Sequence, residues 1–233
     1  MLDLHGYGPS IFAGAWLTLE LAFLSLVIAL LLGLLTASAK LSRQRGWRWL
    51  GQLYTTVIRG VPDLVLMLLI FFGIQIIANS IGDWVYAQYD VEWYVNIDEF
   101  TAAVMTIGFI FGAYMGETFR GAFLAVERGQ LEAARAFGMS GGQVFRRVLF
   151  PQMMRHALPG IGNNWQVLIK TTALASVIGL TDMVKLAKEA AGAVHEPFTF
   201  FIPVILVYLA LTTVSEIGLY YLMRYYSAGV VRE

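Results

Sequence analysis

The chain contains no cysteine among its 233 residues. Disulfides, thiol redox chemistry and cysteine-based zinc sites are thereby excluded. Histidine is scarce too: His5, His156 and His195 lie far apart, without the i, i+4 spacing of a helical metal site, and no metal centre is expected. Only 14% of residues are charged, against about 25% in a soluble domain. The 16 basic and 16 acidic residues balance to zero net charge, so there is no basic footprint for nucleic acid. No G-x-x-x-x-G-K-[ST] phosphate loop occurs, so the chain has no means of binding ATP in that way. Internal repeats and loops of soluble-domain size are also missing, which weighs against carriers built from duplicated halves.

What the chain does have is apolar sequence, 58% by residue type, arranged in runs long enough to cross a bilayer. Five spans are expected, at roughly 11–38, 60–79, 100–125, 159–181 and 198–222, so the fold class is an all-α integral membrane protein. The region 11–222 reads as one membrane domain. No Lys or Arg precedes the first run, and the run is too long for a signal-peptide core, so it reads as a retained span. Five helices can hardly enclose a polar pathway alone, and oligomerisation is expected.

Charge orients the spans. Lys40, Arg43, Arg45, Arg48 and Arg59 follow the first; Asp83, Asp90, Glu92, Asp98 and Glu99 follow the second; Arg128, Arg135, Arg146, Arg147 and Arg155 follow the third; Arg224 and Arg232 follow the fifth. The positive-inside rule places the N-terminus outside and the C-terminus in the cytoplasm. Lys185 and Lys188, after the fourth span, are the exception.

Residues 128–151 then form a cytoplasmic loop with its own pattern. Gln130–Phe137, QLEAARAF, is rich in helix formers. Gly138 is placed to end that helix in the left-handed conformation. Ser140 followed by Gln143 resembles a capping box that starts a second helix. Leu131, Ala134 and Phe137 are expected on one face of the first helix, Val144, Val148 and Leu149 on one face of the second, with Pro151 breaking it. Such a helix–turn–helix hook suits a groove on a soluble partner; an amphipathic loop on the bilayer surface fits the residues equally well.

The pattern Glu132-Ala133-Ala134, three residues, Gly138, nine residues, then Val148-Leu149-Phe150-Pro151 resembles the EAA signature of bacterial ABC-importer permeases. That family prefers Ile and Leu where Val148 and Phe150 stand. RGVPDLVLMLLIFFG, GAYMGETFRGAF and LPGIGNNWQVLIKTTALASVIGL are similar to the polar amino acid branch, and most to the membrane subunits of the histidine/lysine/arginine/ornithine and opine importers. The resemblance covers nearly the whole chain. It implies the type I ABC importer transmembrane fold, with 128–151 as an EAA coupling loop. Glu132, Ala133, Ala134 and Gly138, with Pro151 behind them, would seat the loop in the cleft of a cytoplasmic ATPase dimer. No cofactor would be bound by this chain; ATP and Mg²⁺ would sit on that separate partner. The resemblance further implies a homologous second permease subunit, a periplasmic amino acid binding protein, a place in the bacterial inner membrane, and transport by alternating access. The wider branch often reads Arg-Gly-Thr-Pro-Leu-Leu-Val-Gln where this chain has Arg59-Gly60-Val61-Pro62-Asp63-Leu64-Val65-Leu66. The lost hydroxyl and amide suggest the less polar half of a heterodimer.

Polar groups within spans are costly and become functional candidates. On the fourth span, Asn163, Gln166 and Lys170 recur on one face, with Thr171 and Ser176 nearby, and this is the expected translocation path. Lys170 would repel a cation; it could meet a substrate carboxylate or pair with Glu117. Glu117 and Arg120, at i, i+3 on the third span, form either a structural ion pair or a gate. Glu20 is expected near the outer interface. No catalytic residue is assigned. A membrane enzyme would need a nucleophile–base pair at membrane depth, and the spans hold no histidine or cysteine, although Ser25, Ser176 and Lys170 remain available. A stand-alone carrier or channel is the other alternative, to be separated by its independence of an ATPase.

Overall fold

The computed structural model describes residues 4–92 and 97–227. Arg232, one of the residues used to orient the chain, lies outside them. Among the described residues the protein is all helical, with no strand.

Four helices among the described residues are long and apolar enough to cross a membrane. They are α1 (Gly8–Leu41), α3 (Asp63–Tyr89), α4 (Glu99–Ala125) and α9 (Pro197–Tyr226). They match the expected first, second, third and fifth spans, although α3 runs ten residues further. Asp98 caps α4 by accepting a hydrogen bond from the Thr101 N–H at 2.8 Å, and proline near the start of α1 and α9 fits a first turn that needs no amide donor.

The fourth span differs from expectation. Helix runs from Gly141 to Ile178, breaks at Gly179 (φ +105°), and resumes as α8 (Met183–Val194) at an angle of 55°. Counting five spans requires this bent pair to be one of them. The first part of it is a short helix, α6 (Gly141–Val144), a π turn over Phe145–Leu149, then α7 (Phe150–Thr171), and a 3₁₀ turn over Thr172–Ile178. Sequence reading also missed α2 (Arg45–Gly60), a helix in what looked like a basic loop.

The centre of the bundle is α4. It packs along α1 on one side and α7 on the other, with α2 and α3 beside it. Close approach to α1 comes from Gly108, Gly112 and Gly116, one helical turn apart. A Cβ there would lie 2.7 Å from Ile28 Cβ, 2.8 Å from Leu32 Cβ and 2.9 Å from Thr36 Cβ, respectively. Small residues on a shared seam let helix backbones meet where no aqueous hydrophobic effect drives them together. α8 and α9 form a second apolar cluster with the start of α1, through Ile11, Met183, Ala187 and Phe200.

Candidate functional site

Three features carry polar or exposed chemistry: the hook after α4, a charged cluster at the end of the bundle that leads into it, and one face of α7.

The hook is built as its residues dictate. Its first helix, α5 (Arg128–Ala136), ends at Gly138 with φ +80°. The Gly138 N–H donates to Arg135 O at 2.9 Å and the Met139 N–H to Ala134 O at 3.2 Å, the paired bonds of a Schellman motif. The capping box is present: the Gln143 N–H donates to Ser140 Oγ at 3.4 Å and the Ser140 N–H to Gln143 Oε1 at 2.9 Å. Leu131, Leu149 and Phe150 pack against the main core and fix the hook to the bundle. Two expectations fail. Phe137 does not share the inner face with Ala134: Ala134 is 6% exposed and Phe137 87%. The helix stops at Ala136, and the left-handed turn swings the ring outward. Nor does Pro151 break the second helix, because it lies in the first turn of α7, just after the π turn. There the Phe150 N–H reaches back to Phe145 O, and the widened π turn accommodates a proline that has no N–H to donate, so the helix continues through it. Glu132, Ala133 and Gly138 face outward with Phe137.

The Glu117–Arg120 pair forms, with Arg120 Nε 3.0 Å from Glu117 Oε2. Sequence reading missed its third member. Lys40, near the end of α1, donates to Glu117 Oε1 and, at 2.9 Å, to Thr55 Oγ1 of α2. Lys40 is only 8% exposed, so that carboxylate stands where water would otherwise solvate the ammonium. The Lys170–Glu117 pair, one of the two alternatives for that lysine, does not form; Glu117 is taken by Lys40 and Arg120, and Lys170 has no ion-pair partner among the described residues. The Lys40–Glu117 contact spans 77 positions, beyond any local pattern, although a lysine closing a long apolar helix was a signal worth following. Beside it the Tyr54 hydroxyl donates to Phe109 O at 2.5 Å, and burial pushes that phenol's pKa up.

On α7, Asn163 and Lys170 are exposed and Gln166 is half-buried. This face points away from the protein's own core. Thr171 turns inward, its hydroxyl bonded to Val167 O at 3.0 Å, and Ser176 donates to Ala173 O at 2.7 Å. Asn164 instead ties α7 to α4, donating to Thr118 Oγ1 at 3.0 Å. Glu20 is exposed and accepts from Trp16 Nε1 at 2.6 Å.

A family model described as "Binding-protein-dependent transport system inner membrane component" matches residues 29–226. The chain belongs to that family. Among curated relatives, the histidine/lysine/arginine/ornithine transport system permease protein HisQ of Salmonella typhimurium is 53% identical over 98% of both chains. The nopaline transport system permease protein NocQ of Agrobacterium fabrum is 40% identical over 97% of this chain and 94% of its own. Among solved structures, an amino acid ABC transporter crystallised with histidines aligns at a TM-score of 0.76 and 32% identity, covering 94% of each chain. The inward-facing MetNI methionine ABC transporter aligns at 0.64 and 16% identity, covering 94% of each; at that identity it speaks for the fold alone. The fold is that of type I ABC importer transmembrane domains, and the expected family and fold class both hold. The family is a transport component rather than an enzyme class.

Proposed function

We propose that this chain is one permease subunit of an ATP-driven importer that carries polar, above all basic, amino acids across the bacterial inner membrane. The N-terminus lies in the periplasm, the C-terminus and the hook in the cytoplasm. ATP and Mg²⁺ are bound by a separate ATPase dimer. A periplasmic binding protein delivers the substrate. The nature of the cargo is supported by the relatives named for histidine, lysine, arginine, ornithine and nopaline transport. The observation that carries the mechanism is the outward Phe137, with Glu132 and Ala133, on a hook whose geometry is locked by Gly138 and the Ser140 cap. A large exposed aromatic ring on a rigid element is the kind of anchor that fills a partner's pocket.

The mechanism follows from that rigidity. When the ATPase dimer closes, it draws two hooks together. Leu131, Leu149 and Phe150 join the hook to the core, so the displacement passes to α4 and α7 as a rigid-body change between inward- and outward-open states. The path lies along the α7 face of Asn163, Gln166 and Lys170, with Thr171 and Ser176 behind it. This face completes its cavity only against a homologous partner subunit. Loss of the polar pair from the segment Val61–Leu66 supports a heterodimer in which the partner supplies most of the substrate pocket. The Lys40–Glu117–Arg120 cluster locks α1 to α4 near the cytoplasmic end.

Affinity purification from the native membrane tests this reading. An ATPase and a second permease are expected to co-purify with the wild type, and the ATPase to be lost from Phe137→Ala and Glu132→Arg while the second permease stays. ATPase retention by both variants would overturn the assignment of the hook.

A further inference from the structure

The segment from Lys40 to Arg59 carries five cations and no acid, and neither the hook nor the α7 face explains it. Most of it is α2. This helix is not among those long and apolar enough to cross a membrane, which puts it on the side where α1 ends, at Leu41, and α3 begins, at Asp63. One stripe of α2, at three- and four-residue spacing, is Arg45, Arg48, Gln52, Thr56 and Arg59. The next is Trp49, Leu53 and Val57, all exposed, with Trp49 at 63%. Tryptophan beside arginine on a helix lying at the end of spans is the composition of an interfacial, anionic-lipid-binding element. The structure adds a cavity of about 380 Å³ between α1, α2 and α4, lined by Lys40, Thr55, Arg59, Tyr114, Glu117 and Arg120 among others. Three cations against one carboxylate leave it two positive charges. Arg59 lies 5.4 Å from the Tyr114 ring centroid, which holds its guanidinium at the cavity wall.

We propose that this cavity and the arginine stripe of α2 form a binding site for the phosphodiester headgroup of an anionic phospholipid, in the cytoplasmic leaflet. Basic pockets between membrane helices take such headgroups. Here the Arg59 and Arg120 guanidiniums supply the bidentate donors that suit phosphate oxygens, while Trp49, Leu53 and Val57 lie against the acyl region. The leaflet rests on the orientation given above; the lipid preference does not.

The test uses the complex purified from its native membrane and placed in nanodiscs. Tryptophan quenching by brominated phosphatidylglycerol is compared with quenching by brominated phosphatidylcholine, and Trp47→Phe/Trp49→Phe isolates the α2 signal. Phosphatidylglycerol is expected to be favoured by about threefold or more. The preference falls to parity in Arg45→Gln/Arg48→Gln/Arg59→Gln, is weakened but retained in the matching Arg→Lys triple variant, which keeps the charge and loses the bidentate fork, and is unchanged in Arg224→Gln. Parity in the wild type, or a preference that persists in the glutamine variant, overturns the proposal. Suppression by inorganic phosphate would assign the cavity to a soluble anion and also overturn it. Labelling of Ser42→Cys in intact cells by an external, impermeant maleimide would sink the orientation, and with it the leaflet, whatever the quenching shows.

Discussion

Replacing Glu117 should cost far more than replacing Lys40, although the two share an ion pair. The Lys40 side chain is 5% exposed and that of Glu117 18%. Glu117→Gln leaves two cations, Lys40 and Arg120, facing each other without a carboxylate. Removing one partner of a buried pair costs about 3–5 kcal/mol. Lys40 keeps Thr55 Oγ1 and Arg120 reaches solvent, so the lower end, about 3 kcal/mol, is expected. Lys40→Met removes a buried charge, leaves Glu117 paired with Arg120 at 3.0 Å, and keeps most of the lysine's packing volume; about 1 kcal/mol is expected. At about 2–4 °C per kcal/mol for a domain of this size, Glu117→Gln should lower the apparent unfolding midpoint by about 6–12 °C and Lys40→Met by about 2–4 °C. The double variant should lie closer to Lys40→Met than to Glu117→Gln, because the stranded lysine is gone. Midpoints of the detergent-solubilised complex, taken at one scan rate by fluorescence-detected size exclusion, measure all three. Lys40→Met as damaging as Glu117→Gln, or strictly additive effects, would refute the reasoning.

Gly112→Leu should prevent α1 and α4 from meeting, since even a Cβ would lie 2.8 Å from Leu32 Cβ and from the Tyr54 hydroxyl; membrane yield of folded protein should collapse, whereas Gly121→Ala, with open space around it, should be tolerated. Gly138→Ala forces φ +80° on an alanine, costing about 1–2 kcal/mol; the hook should fray and ATPase affinity fall, with the bundle's unfolding midpoint unchanged. The Thr101 N–H, donating to Asp98, holds that carboxylate below its ordinary range. A depressed value means that the cap's stabilisation is present above the unfolded pKa and lost as pH falls through the folded one, so Thr101 amide exchange protection should drop only below about pH 4, and Asp98→Ala should abolish that dependence.

The elements written in local pattern were legible in the sequence. Hydropathy located four spans to within a few residues at most ends, and Gly138 with Ser140 and Gln143 foretold the Schellman turn and the capping box. The failures have physical causes. Phe137 falls on the Ala134 face only if the helical period continues past Ala136, where the helix ends. Pro151 looks like a breaker because the π turn ahead of it leaves no sequence mark. The expected fourth span, 159–181, stops just past the bend at Gly179, and the helix beyond it, α8, packs against α9 and α1. Helix α2 was concealed by counting its arginines as loop charge, although Trp49, Leu53 and Val57 repeat at helical spacing. Lys40–Glu117 depends on how α1 lies along α4, which three glycines determine only once the two helices are known to be neighbours.

The most direct test of the hook as the coupling element is uptake of labelled arginine into proteoliposomes. These would hold the co-purified complex with its ATPase facing the lumen, ATP trapped inside, and binding protein supplied outside, at the periplasmic face. Transport that requires ATP and is lost in Phe137→Ala, while the variant's permease pair stays assembled, is the predicted result. Transport that proceeds without ATP, or that is undiminished in Phe137→Ala and Glu132→Arg, would contradict the account.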